Sequence, residues 1–351
     1  MNVLRRRVHR GRVLALIVLI AGACSPTASN APTPTASAPA ASAATSTPSP
    51  TNAPATAAPA TPTPTLTVLP TNATISAPSG DVVWMSLGGT RLFRSIDRGT
   101  TWSERGLPSG AQPGEFAFAS DREGMYVQAN GQCPAQQLFI SVTHDGAATW
   151  ELVTTAGVTD ARCKGRPSLV DAQHAFLAAW DDTAAPAAPT VYASADGGRT
   201  WSVSRPMPSP PGFTIAAPGD MWLPGPVRGF GSTLLIDVFG QKATGSMEFA
   251  YRSTDGGASW TYASTAPIAS RIAFVTASRW LQIGPPNESR ETTDGGATWH
   301  AFTTDYQQAA GVAPQIVFGD ASVGYATVRG ALQRTVDGGA HWTSLRTPGT
   351  S

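Results

Sequence analysis

Ser253-Thr-Asp255-Gly-Gly257-Ala-Ser259-Trp260 decides the fold, because the chain writes this stretch six times. The other copies are Ser95-Ile-Asp97-Arg-Gly99-Thr-Thr101-Trp102, Thr143-His-Asp145-Gly-Ala147-Ala-Thr149-Trp150 and Ser194-Ala-Asp196-Gly-Gly198-Arg-Thr200-Trp201. The last two are Thr292-Thr-Asp294-Gly-Gly296-Ala-Thr298-Trp299 and Thr335-Val-Asp337-Gly-Gly339-Ala-His341-Trp342. The aspartates stand 48, 51, 59, 39 and 43 residues apart. Self-similarity at such a period is the mark of a repeat architecture.

Each residue type suits a tight hairpin. Asp accepts hydrogen bonds from backbone N–H groups two residues on. Gly takes the positive φ that such turns require. Ser or Thr before the Asp opens the turn, and Trp buries a large ring whose N–H needs one partner. Ala147 replaces the Gly and His341 replaces the Thr/Ser, so those two turns are expected to be the least regular.

The flanks read as short strands. Arg91-Leu-Phe-Arg94 and Gln137-Leu-Phe-Ile140 precede boxes, and Thr149-Trp-Glu-Leu-Val153 spans one on its far side. An upstream hairpin also recurs, as in Ala117-Phe118 with Gly124-Met-Tyr126 and Ile316-Val-Phe318 with Gly324-Tyr-Ala326. Each unit thus holds about four strands, which is a propeller blade. Residues 80–351 allow about 45 residues for each of six blades, inside the ~40–50 of propeller repeats. The first blade needs its innermost strand near 73–77, and a seventh blade finds no room. The expected fold is all-β: a six-bladed β-propeller of four-stranded antiparallel blades over 71–351, preceded by a disordered linker.

The N-terminus reads as a targeting segment, 1–23. Arg5, Arg6, Arg7, Arg10 and Arg12 precede an apolar or small run of 11 residues, Val13 to Ala23. That is too short for a membrane span, which needs ~20 residues, but suits a signal peptide. Ala21-Gly22-Ala23-Cys24 resembles a bacterial lipobox, with Ala21 where a larger aliphatic residue is usual, and Cys24 is the expected lipidation site. Residues 24–70 form the linker. From Ser25 to Thr65 it is Ala, Pro, Ser and Thr apart from Asn30 and Asn52, which leaves nothing to bury.

Composition excludes several classes. Only 13% of the 351 residues are charged, against ~25% in average domains, which argues against helical bundles. Without the first 23 residues, 19 basic groups face 23 acidic ones, so the remainder carries about −4 and has no footprint for nucleic acid. The five histidines show no zinc spacing, each box offers one carboxylate, and no nucleophile-elbow sequence is present, so neither metal nor cofactor is expected. Cys133 and Cys163 fall in turn-like stretches of adjacent blades; a disulfide is expected, with two free thiols as the alternative.

The boxes resemble the Asp-box, or BNR, repeats of β-propellers found in sialidases, sortilin-type receptors and photosystem II assembly factors. The Asp-Gly-Gly-x-Thr/Ser-Trp form looks most like the assembly-factor type and its bacterial lipoprotein relatives, although those commonly have seven blades. The resemblance implies structural roles for Asp97, Asp145, Asp196, Asp255, Asp294 and Asp337 and for Trp102, Trp150, Trp201, Trp260, Trp299 and Trp342. It also implies a ligand at the channel mouth, on the face opposite the Asp turns. In sialidases three arginines clamp a carboxylate, a Tyr–Glu pair supplies the nucleophile and an Asp the acid/base. The first of those arginines precedes the first box, and here residues 66–89 contain no Arg.

Two groups stand out as ligand-binding candidates. Arg162, Lys164 and Arg166 make the one compact basic cluster of the head, placed on a loop spanning 155–166. Trp180 with Asp181 and Asp182 sets an aromatic plate beside two carboxylates, a combination suited to sugars. The expected function is non-catalytic binding by a membrane-anchored, extracytoplasmic lipoprotein, monomeric, with an envelope protein or a cell-surface glycan as partner and no nucleic acid. A glycoside hydrolase of exo-sialidase type is the alternative. It requires three arginines and two acidic groups to converge on the channel.

Overall fold

The Asp turns set the architecture from the bottom up. In the first, the Ser95 hydroxyl donates to Asp97 Oδ1 (2.7 Å) and accepts from Gly99 N (2.8 Å). Asp97 Oδ1 accepts Thr101 N (2.8 Å), and Oδ2 accepts the Thr101 hydroxyl (2.6 Å). The chain reverses inside eight residues and antiparallel pairing follows on either side. The same bonds recur at Asp145, Asp196, Asp255 and Asp294, so both oxygens of each carboxylate are engaged within its own turn.

The computed structural model describes residues 73–348 except 134–135, 154, 159–161, 182–186, 216, 218, 285–287, 307–313 and 329–330. The targeting segment 1–23, Cys24, the linker 24–70 and Asp182 lie outside the described residues. All the described residues belong to one compact unit.

Six antiparallel sheets follow in chain order. Blade 1 is Ala73–Ser76, Val83–Leu87, Arg91–Ser95 and Ser103–Arg105. Blade 2 is Glu115–Phe118, Gly124–Asn130, Gln137–Thr143 and Glu151–Val153. Blade 3 is Cys163–Leu169, Ala175–Trp180, Thr190–Ser194 and Ser202–Val203. Blade 4 has a split first strand, Met221–Pro224 and Arg228–Phe230, both paired with Thr233–Lys242, then Gly245–Ser253 and Thr261–Ala266. Blade 5 is Ala273–Phe274, Trp280–Gln282, Arg290–Thr292 and His300–Ala301. Blade 6 is Gln315–Phe318, Gly324–Val328, Ala331–Thr335 and Thr343–Ser344. This is the six-bladed β-propeller read from the sequence, and no helix occurs among the described residues.

The core is a ring of six apolar clusters, one between each pair of neighbouring blades. Each blade is therefore covered on both faces. Val83–Leu87 is buried at every position rather than alternating, as expected of a sheet packed on both sides. The short outermost strands, such as Ser103–Arg105, meet solvent and carry the polar residues that guard an edge.

The ring closes without a shared strand. Ile75, Met85 and Phe93 of blade 1 pack on Val323, Tyr325 and Leu332 of blade 6. The Gln315 side chain bridges the seam, accepting from Ile75 N (3.0 Å) and donating to Ile75 O (3.1 Å), while the Tyr325 hydroxyl donates to Gly80 O (2.7 Å).

At the Asp turns one expectation is overturned. The two variant turns are as regular as the others. Ala147 takes the left-handed φ of 65° and still donates its N–H to the Thr143 hydroxyl at 3.0 Å. His341 Nδ1 lies 2.5 Å from Asp337 Oδ2, where other turns place a hydroxyl. Every backbone bond of the turn survives because only side chains changed.

Candidate functional site

A cavity of about 720 Å³ runs through the centre of the ring, lined by the first strands of all six blades. Its wall includes Gly88 and Gly89 of the hairpin turn opposite the first Asp turn, and Phe118 and Phe318 at the ends of first strands that lead toward the Asp turns. Three arginines line it, Arg166, Arg228 and Arg271, together with the carboxylates Glu115 and Asp237.

Arg271 is the hub. It enters from the connection between blades 4 and 5, which a buried Gln282 holds: Nε2 donates to Ile268 O (2.8 Å) and Ser270 O (2.5 Å), and Oε1 accepts Ile268 N (3.2 Å). Arg271 Nε lies 2.6 Å from Asp237 Oδ2 and 3.5 Å from Glu248 Oε1. Asp237 and Glu248 are diagonal neighbours on one face of blade 4, since Asp237 pairs with Ala250 and Phe239 with Glu248. The first strand of blade 4 breaks beside them. Gly225 donates its N–H to Asp237 O (2.7 Å), and a Cβ there would sit 2.0 Å from Asp237 Oδ1. The split strand makes room for the charge cluster.

Glu248 is wholly buried, and neither carboxyl oxygen has a hydrogen-bond partner. Burial, and after it the neighbouring Asp237 carboxylate, raises its pKa, so Glu248 holds its proton at neutral pH. Burial works against the Arg271 charge as well, but Asp237 and Glu248 outweigh it and its pKa is raised. Arg228 and Arg166 are both lowered by burial, Arg166 also by the nearby Arg271.

Arg166 reaches the cavity through a β-bulge. Phe176 pairs with Ser168 and Ala178 with Gly165, so Arg166 and Pro167 together oppose one residue, Leu177. Arg166 takes a φ of 52°, in the left-handed region that costs a non-glycine residue ~1–2 kcal/mol. Its N–H donates to a Glu115 carboxylate oxygen and its Nη1 donates to Pro224 O (2.5 Å). The guanidinium lies 5.4 Å from the Trp180 ring centre. Arg228, across the cavity, donates through Nη2 to Phe318 O.

The structure disperses the basic trio. Cys163–Leu169 is the first strand of blade 3 rather than a loop; plain alternation would put residues 162, 164 and 166 on one face, but the bulge at Arg166 breaks that alternation after Lys164. Arg162 Nη1 donates to Ala188 O (2.7 Å) and Thr190 Oγ1 (3.4 Å). Lys164 is buried, with Nζ donating to Arg162 O (2.8 Å). Only Arg166 of the three lines the cavity. Trp180 is half-buried beneath Arg166, and Asp181 Oδ2 accepts Ala187 N at 3.2 Å.

Cys133 and Cys163 are bonded, with Cα atoms 5.0 Å apart, joining the second hairpin of blade 2 to blade 3 three residues before Arg166. Among the described residues no three His, Cys, Asp or Glu side chains gather as a metal site.

Sequence reasoning missed Arg228 and Arg271 and did not pair Asp237 with Glu248. The available signal was a charge inside an otherwise apolar strand, Asp237 in Leu234–Val238 and Glu248 before Phe249-Ala-Tyr251.

No protein-family model matches the sequence, and no curated protein does. Among solved structures the chain is similar to "YCF48 bound to D1 peptide" at 17% identity, covering 79% of this chain and 82% of that one, TM-score 0.47. "YCF48 from Cyanidioschyzon merolae" is also 17% identical, covering 81% and 86%, TM-score 0.47. "Hadza microbial sialidase Hz136" is 15% identical, covering 76% and 66%, TM-score 0.49.

Proposed function

We propose that this chain is a non-catalytic, extracytoplasmic binding lipoprotein. Cys24 carries its lipid anchor, residues 24–70 space the head from the membrane, and the central cavity receives a segment of an envelope protein. The observation that carries the reading is how the cavity's charges are used. Arg271 is committed to Asp237, Arg228 to the Phe318 carbonyl and Arg166 to the Pro224 carbonyl, while apolar residues such as Phe116 and Ile272 fill the wall between them. Such a surface fits a largely apolar ligand with one or two polar anchors.

Glycoside hydrolysis is the competing reading. In its favour, three arginines and two carboxylates line one cavity, and a protonated Glu248 sits beside Asp237, two acids whose environments differ. Against it, Glu248 is sealed from the cavity, and no tyrosine is among the described residues that line it.

The test is in-cell photo-cross-linking from the cavity rim of the full chain, with Cys24→Ser and Arg166→Gly as variants. Glycine suits the left-handed backbone at 166, so this variant keeps the fold while removing the guanidinium. The reading expects Cys24→Ser to leave the membrane fraction. It also expects one stoichiometric envelope protein to be captured by the parent and lost with Arg166→Gly. Turnover of chromogenic sialosides or other glycosides, abolished by Asp237→Asn, would replace it with the hydrolase.

A further inference from the structure

Blade 2 departs from its neighbours at one position of its third strand. Two residues before the Ser/Thr that opens each Asp turn, blades 1, 3 and 4 carry Phe93, Tyr192 and Tyr251, and blades 5 and 6 carry Arg290 and Gln333. Blade 2 carries Ser141. The position faces the preceding blade. Phe93 packs on Val323 and Leu332 of blade 6, Tyr192 on Met125 and Ile140 of blade 2, and Tyr251 on Phe176 and Val191 of blade 3. Ser141 pairs with Tyr126, whose hydroxyl donates to Gly89 O and Gln112 O of blade 1 and its exit connection. The small side chain leaves open what an aromatic ring fills in blades 1, 3 and 4.

A hollow of about 370 Å³ lies there, between the 108–112 connection and the outer strands of blade 2. Phe139 and Trp150 give it aromatic walls; Gln112, Gln128 and Asn130 give it amides. No charged side chain is among the described residues that line it. Trp150 is fixed in place, its Nε1 donating to Gly106 O at 2.8 Å, and Gln128 Nε2 donates to Gln112 O at 3.1 Å. Leu152, at the rim, is 66% exposed.

We infer that this hollow is a binding site for a neutral sugar residue, separate from the central cavity. A pyranose has an apolar C–H face that stacks on an aromatic ring and an edge of hydroxyls that both donate and accept. Amides match that edge because each offers two donors and an acceptor. The lack of charge selects against phosphates, uronates and ionised peptide side chains. The volume sits at the small end of the ~300–1,000 Å³ range of ligand sites, enough for one or two rings. The inference does not rest on the reading of the cavity, and either can fail alone.

The test is saturation-transfer difference NMR on the full chain, with neutral methyl glycosides of glucose, galactose, mannose and N-acetylglucosamine, and methyl glucuronide as the charged control. At least one neutral glycoside is expected to bind with Kd of about 1 mM. Ser141→Tyr installs the side chain that blades 3 and 4 already carry and should abolish the signal with Tm preserved. Gln128→Ala, on the partly exposed side of its strand, is expected to weaken binding about 5-fold and serves if Ser141→Tyr does not fold. Arg166→Gly should leave sugar binding unchanged. Binding by none of the neutral glycosides, equal binding by Ser141→Tyr, or a preference for the glucuronide would overturn the inference.

Discussion

At the Asp turns a carboxylate recurs six times and closes its own loop through bonds that span two to four residues. In the central cavity Asp237 occurs once, and its partner Arg271 arrives from the next blade. The turn carboxylates are largely solvated, whereas Asp237 and Glu248 are buried. A local motif repeated six times specifies the ring and can lose one member. A long-range cluster present once has no substitute, and it breaks the six-fold regularity at the central cavity. Blade 4 shows the cost in chain: its box interval is the longest, at 59 residues, and its first strand is split to admit the cluster.

The contrast breaks if the cluster is dispensable. Arg271→Ala leaves the Asp237 charge buried without its partner, which costs ~3–5 kcal/mol. In a ring of this size that corresponds to a Tm lower by about 10 °C in a thermal melt. The double variant Arg271→Ala/Asp237→Asn should recover most of the loss, because the unpaired charge is gone. A fall below ~1 kcal/mol in the single variant would mean that water reaches Asp237 and that the cluster is no more essential than a turn.

A turn should be worth less and should titrate in the opposite sense to Glu248. Asp196→Ala removes the acceptor of the Ser194 and Thr200 hydroxyls and of two backbone N–H groups, and should lower Tm by about 2–4 °C. In Asp145, Asp255 and Asp294 the Ser or Thr hydroxyl four residues on, then that residue's N–H, holds the pKa at about 2. At Asp196 and Asp337 burial opposes the shift, but the hydrogen bonds prevail and the pKa is again about 2. Depressed carboxylates stabilise the fold above their unfolded pKa of ~3.9, and that stability is lost as pH falls toward about 2. Tm should therefore drop steeply between about pH 4 and pH 2, less so in Asp196→Ala.

Glu248 sharpens the comparison from the other side. Its raised pKa means that the folded state keeps a proton which the unfolded state releases above ~4.3, so its contribution falls as pH rises. Glu248→Gln keeps the shape without the ionisation. Tm should rise by ~1–3 °C at pH 8 and stay unchanged near pH 4. A loss of stability at pH 8 would show that Glu248 is ionised against Arg271.

This division also explains what the sequence made legible. Asp, Gly and Trp at fixed offsets act within one turn, so residues 95–102 or 253–260 can be read in isolation. The channel cannot be read that way, because Arg166 and Arg271 lie 105 residues apart and share a cavity only once blades 3, 4 and 5 pack side by side. Adjacency in sequence misled as well. Arg162, Lys164 and Arg166 look like one patch, but a strand with a bulge sends them to three different surroundings. The hollow at Ser141 was hidden for a third reason: its signal is the size of one side chain relative to five others in register, visible once the blades are aligned.

Ala147 tests how much the turn motif owes to its glycine. Three terms act on Ala147→Gly. Glycine relieves the left-handed backbone at φ 65°, a gain of ~1–2 kcal/mol. It loses a buried methyl group packed near Trp84 and Leu92, a cost of ~0.8 kcal/mol. It also gives the unfolded chain more freedom, a cost of ~0.5–1 kcal/mol. The terms nearly cancel, so the change should be smaller than ~2 °C in Tm. That near-neutrality is what lets one turn in six carry Ala. A clear rise in Tm would mean that the methyl group packs poorly and that the turn is strained. A clear fall would mean that the methyl group is a specific contact between blades 1 and 2, and that this turn is more individual than its five counterparts.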